Sequence, residues 1–109
     1  DMDQPPLPRD DVLDVRPFGA NFLVAKTTVL MKTPTLELIR LVVPAGKLIP
    51  EHRARGEITI HCLEGRIALT VSGRTRDLDA GQLAHLPQGE PHALRGVEDA
   101  SLLVTIALR

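Results

Sequence analysis

The chain reads as an all-β domain, a sandwich or barrel of seven or eight short strands, and three observations predict it. Short apolar or alternating runs recur from Val12 onward. Turn-forming Pro and Gly pairs stand between them at Thr33-Pro34, Pro44-Ala45-Gly46, Glu64-Gly65, Ser72-Gly73, Ala80-Gly81 and Pro87-Gln88-Gly89. Apolar residues at helical spacing are scarce, and many short strands at this spacing close into a sandwich or barrel. With 109 residues there is room for one modest core, so function belongs in or on that core.

The elements follow in order. Residues 1–11 begin DMDQPPLPRD, with three prolines and no apolar period, and read as an extended arm, either free in solvent or laid across a partner subunit. The barrel domain spans 12–109. Its strand-like runs are NFLVAKTTVLMK, TLELIRLVVP, EITIHCLEG, RIALTVSG, RTRDLD, QLAHLP, HALRGVE and SLLVTIAL. In EITIHCL, successive side chains alternate sides, so Ile58, Ile60 and Cys62 share one face while Glu57, Thr59, His61 and Leu63 share the other. After the Glu64-Gly65 turn, Ile67, Leu69 and Val71 continue the apolar face. That face looks inward, which points His61 away from the lumen.

Composition excludes several classes. With 13 basic and 14 acidic residues, no global field favours nucleic acid or a membrane surface. The chain has two Phe, no Trp and no Tyr, and so lacks the stacking platforms of a single-strand binder. One cysteine, Cys62, leaves no intrachain disulfide and suits a reducing compartment. No apolar run approaches the ~20 residues of a membrane span. These features set the expectation of a cytoplasmic protein. They give it no nucleic-acid partner and no membrane partner.

Two stretches carry a family resemblance. Residues 81–92 read Gly81, QLAHL, Pro87, Gln88, Gly89, Glu90, Pro91 and His92; residues 46–65 offer Gly46, KLIPE, His52 and Gly65. The chain resembles a small single-domain cupin, whose motifs are G-x5-H-x-H-x3-4-E-x6-G and G-x5-P-x-G-x2-H-x3-N. The resemblance implies a double-stranded β-helix, the jelly-roll barrel. It also implies a metal held by three histidines and a glutamate, and here this chain departs. Ala54 stands where the second histidine belongs, Ile58 where the glutamate belongs, and Gly96 where the closing Asn belongs. Glu57 lies one residue early, which in a strand is the opposite face. Only His52 and His92 remain as candidate metal ligands. A divalent transition metal (Zn, Ni, Fe or Mn) normally takes three or four protein ligands and would need another donor from His85, Glu51, Glu57 or His61.

The candidate ligand-binding residues are therefore His52 and His92, with Ile58, Ile60 and Cys62 from the inward face and Arg53 from the adjoining loop. Arg53 and Arg55 have the fork geometry to clamp an anion, although loop arginines are most often simply solvated. Cys62, on an Ile-Ile-Cys face, reads first as a small core residue. The leading expectation is a cupin that binds a small anionic or mixed-polarity metabolite without proven turnover. The alternative is a metal- or histidine-dependent enzyme of isomerase, dioxygenase or decarboxylase type. Because Leu36 and Leu38 oppose Ile39, Leu41 and Val43 on one strand, both faces of that strand are apolar, which predicts a homodimer.

Overall fold

The computed structural model describes residues 12–108; the predicted N-terminal arm over 1–11 lies outside the described residues. A short 3-10 helix, Gly19–Val24, precedes nine strands: β1 (Thr28–Lys32), β2 (Leu36–Val43), β3 (Leu48–His52), β4 (Ile58–Glu64), β5 (Arg66–Val71), β6 (Arg74–Asp79), β7 (Leu83–Leu86), β8 (His92–Gly96) and β9 (Ala100–Ala107). They form two sheets, β1-β2-β9-β4-β7 and β3-β8-β5-β6. The antiparallel pairs β2·β9, β3·β8, β4·β7 and β5·β6 are nested, so the chain doubles back on itself about the Ser72-Gly73 turn. Both turn residues have positive φ, 49° and 81°, as a tight hairpin with the right-handed strand twist requires. This nesting is the jelly-roll, double-stranded β-helix.

The lumen between the sheets is filled by the inward face read from the sequence. Val43, Ile60, Cys62, Ile67, Leu86 and Leu102 are fully buried there, each aliphatic side chain contributing about 1.5–3 kcal/mol through loss of contact with water. Two glycines are set by close approach. A Cβ on Gly65, which has a φ of +74°, would fall 2.0 Å from the Asp99 carbonyl oxygen. A Cβ on Gly96 would fall 2.2 Å from the Pro44 carbonyl oxygen. Gly96 also exchanges backbone bonds with Gly46 and Lys47, so no larger residue, Asn included, fits where the second motif ends.

Two elements differ from the sequence reading. The run NFLVAKTTVLMK is not one strand: its first half makes the 3-10 helix, which buries Phe22, and its second half makes β1. Strand β3 was not among the expected runs. Its exposed Leu48, Pro50 and Glu51 break any alternation, and a proline is tolerated there because β3 lies at a sheet edge.

One-residue bulges set the direction of two polar side chains. On β3, Ile49 pairs with Leu94 and His52 with His92, three residues against two. Simple alternation would send Glu51 inward with Ile49; the bulge sends His52 instead. On β4, Cys62 pairs with Leu102 and Glu64 with Ser101, which turns Glu64 to the outer face of the five-stranded sheet. There Arg40, 3% exposed, donates through Nη2 to Ser101 Oγ (2.9 Å) and to the Arg16 carbonyl (2.8 Å), and pairs with Glu64 at 3.5 Å. Glu64 also accepts from Ser101 Oγ and from the backbone N–H of Phe18 (2.9 Å) and Gly19 (3.2 Å). The Phe18 ring covers the Arg40 guanidinium at 4.1 Å. This knot fastens the segment before β1 to the sheet. Burial on its own would raise the Glu64 pKa, but the hydrogen bonds from Ser101, Phe18 and Gly19, with the Arg40 charge, outweigh it and hold the carboxyl below its ordinary value.

Candidate functional site

The lumen is packed solid at the end marked by Val43, Cys62 and Leu102 and hollow at the other. The hollow is a cavity of about 330 Å³ between the sheets. Its wall is aliphatic, supplied by Ile39 and Leu41 of β2, Ile58 and Ile60 of β4 and Val104 and Ile106 of β9. Facing that wall across the lumen are Ile49, His52, His92 and Leu94 of β3 and β8. Glu37, Arg53 and Arg55 supply the charged part of the lining.

His52 and His92 sit side by side because the β3 bulge brings them into register. Their ring centroids are 4.3 Å apart with the planes tilted by 58°. His92 is 3% exposed, whereas His52 lies at the open edge. Each Nδ1 lies against the carbonyl two residues back, Pro50 O at 3.0 Å for His52 and Glu90 O at 2.9 Å for His92. A carbonyl oxygen only accepts, so both Nδ1 atoms carry the proton, and in the neutral rings both Nε2 atoms are acceptors. Among the described residues, neither Nε2 has a hydrogen-bond partner.

The other sequence candidates divide cleanly. Ile58, Ile60 and Arg53 line the cavity with the two histidines. Cys62, expected beside them, is fully buried in the packed end and does not reach the cavity; its thiol donates to the Glu64 carbonyl at 3.4 Å. Burial pushes that thiol above its ordinary pKa, which disfavours the thiolate. The Arg53 guanidinium donates to the Gly89 carbonyl at 3.1 Å, and Gln88 donates to the Arg55 carbonyl at 3.0 Å. Together these contacts tie the loop after β3 to the turn before β8, so Arg53 serves the rim as a clamp. Leu94, Ile49 and the β2 and β9 residues were missed as lining. The inward alternation of Ile39 and Leu41 was the available signal for β2.

The set does not fit a resident metal ion. Among the described residues, no three His, Cys, Asp or Glu side chains converge. Ala54 and Ile58, at the positions where the family offers His and Glu, both line the cavity and give it apolar surface. The alternative donors lie elsewhere: Glu51 is exposed, His61 lies on the outer face of β4, and Glu57 pairs with His85 outside the lumen. Two imidazoles would leave most of a transition metal's positions to water in a mostly apolar pocket.

Comparison with known proteins agrees with this architecture. Residues 39–107 match the family model described as the cupin domain. No curated protein matches the sequence. A conserved protein of unknown function from Streptococcus pyogenes superposes with a TM-score of 0.72 at 25% identity, covering 76% of this chain and 73% of that one. A cupin superfamily protein from Desulfitobacterium hafniense gives a TM-score of 0.76 at 15% identity, covering 94% and 95%. An RmlC-like cupin family protein with a double-stranded β-helix fold from Methanocaldococcus jannaschii gives 0.70 at 16%, covering 93% and 85%. The last two likenesses are of fold alone. With its nested strand pairs, its two motif histidines and a family match over most of the barrel, this chain belongs to the cupin family.

Proposed function

We propose that this cupin binds a small metabolite in the lumen, against His52 and His92, and does so without a resident metal. One observation carries the reading: a buried histidine, His92, presents an unpartnered acceptor beside a second histidine at a mostly apolar cavity of ligand size. Among the described residues Arg40 Nε is the one buried side-chain atom without a partner, so His92 Nε2 is open to the cavity and can take a donor from a ligand in place of water. The experiment is a thermal-shift screen of a metabolite library, run on wild type and on His52→Ala/His92→Ala, with elemental analysis of untagged protein. A compound at about a hundredfold its Kd stabilises the native state by about 2.7 kcal/mol, and the double variant should lose that shift. Stoichiometric metal in the wild type that disappears in the variant would overturn the metal-independent part.

The closeness of the two rings favours one second reading, a histidine-dependent isomerase in which one imidazole takes a proton and the other returns it. Turnover of a compound found by the screen, abolished in either single variant, separates catalysis from binding.

The reading includes a homodimer in the cytoplasm. The outer face of the five-stranded sheet carries Leu36, Leu38, Leu63 and Leu103, half-buried, and Leu83, which is 60% exposed. A second copy of the same face would cover these side chains by two-fold pairing. Light scattering on a sizing column should give twice the chain mass at micromolar concentration; a monomer there sinks this part.

A further inference from the structure

From the hydrogen-bond state of the two rings we infer the class of ligand: an apolar molecule of about two fused rings that carries a hydroxyl and donates its O–H to the imidazole pair. This rests on the cavity reading above and sharpens it. It also reverses the sequence-based leaning toward an anion.

The inference has three parts. The backbone sets the tautomer. Pro50 O and Glu90 O each hold one Nδ1–H, so both Nε2 atoms are lone pairs in the neutral rings. A ligand group made only of acceptors, such as a carboxylate or an ether, would set lone pair against lone pair at His92, whereas a hydroxyl supplies the missing donor. The surroundings set the rest of the molecule. Ile58, Ile60, Val104 and Ile106 offer neither donors nor acceptors, so the body of the ligand is hydrocarbon. The volume sets its size. An apolar cavity of roughly 150 Å³ takes a benzene ring, and the present one, at about 330 Å³, is near twice that.

The charged rim does not reverse this. Arg53 already donates to Gly89 O. Arg53 and Arg55 are both exposed, where water and salt screen them, and Glu37 supplies an opposite charge in the same lining.

The test uses three probes that share one naphthalene body, 2-naphthol, 2-methoxynaphthalene and 2-naphthoate, on the full chain near neutral pH. With no Trp or Tyr in the protein, naphthalene fluorescence reads binding directly. The expected result is 2-naphthol binding about tenfold more tightly than its methyl ether, with the naphthoate weakest. The His92 Nε2 nitrogen resonance should move on addition of naphthol and stay unmoved with the ether. In His92→Phe, which keeps a ring but removes the acceptor, the naphthol-to-ether ratio should fall toward one. Should that variant fail to fold, His52→Ala, at the exposed edge, should lower the same ratio. An ether that binds as well as naphthol, or a naphthoate that binds best, overturns the donor inference and leaves the cavity reading standing. If no probe binds, the inferred ligand class is overturned, while the cavity reading stands or falls on the histidine-dependent shift in the metabolite screen.

Discussion

Two polar clusters are built into this barrel, one on each side of a sheet wall, and each depends on a single extra residue. The β3 bulge turns His52 inward to meet His92; the β4 bulge turns Glu64 outward to meet Arg40 and Ser101. Outside, Arg40 and Glu64 bond to each other, to Ser101 and to the backbone of the segment before β1, under the ring of Phe18. The one buried side-chain atom without a partner there, Arg40 Nε, faces packed protein. Inside, each imidazole spends one nitrogen on its own backbone and leaves the other open at a void. Burial of polar groups therefore does not mark a site by itself. An unspent lone pair beside empty space does.

The contrast can be broken by substitution. Glu64→Ala strands the buried Arg40 charge and releases two backbone donors, and should cost about 3–5 kcal/mol in urea unfolding. A loss below ~1 kcal/mol would show that the knot anchors nothing. Acid acts on the same group. Since the folded Glu64 carboxyl lies below its ordinary value of 4.5, its contribution is complete above that pH and fades as pH falls through the folded value. Wild type should then lose stability on acidification from about pH 4.5 downward. Glu64→Gln should show a shallower decline over that range.

Changes in the lumen should behave in the opposite way. His92→Leu fills similar space and gives up one hydrogen bond to Glu90 O, so its stability cost should be near 1 kcal/mol while 2-naphthol affinity drops at least tenfold. Equal losses of stability and binding would make His92 another structural residue. His52→Ala, at the exposed edge, should move stability by less than ~0.5 kcal/mol and still weaken the ligand. Its measurement is the same pair of denaturation and fluorescence titrations.

Much of this was written in local chemistry. The Pro and Gly breaks fall between strands, and the alternation of Ile58, Ile60 and Cys62 gives the inward face of β4 and sends His61 out. The demotion of Glu57 also follows from period-two geometry, and its side chain does pair with His85 outside the lumen. What escaped was set by register. A bulge adds one residue to one strand without altering the composition around it; the motif spacing put His52 in the site, but nothing local reveals the bulge that turns it inward in place of Glu51, or the one that takes Glu64 off the face of Cys62. How far along the lumen the packing closes is likewise a property of both sheets, and it separates Cys62 from Ile58 and Ile60 although all three share a face. Arg40, one of two charges in the otherwise apolar run of β2 and the one on its outer face, was a visible hint of the outer knot.

The bonds from His52 Nδ1 to Pro50 O and from His92 Nδ1 to Glu90 O are short-range, each reaching back two residues along the chain. They orient the rings before anything arrives. A ligand entering this cavity meets acceptors whose rotamers are already fixed, and the usual loss of about 0.5–1.5 kcal/mol for immobilising a mobile side chain has been met during folding. Recognition here is thus preorganised by the backbone, and complexes that differ in affinity should differ chiefly in how fast they dissociate.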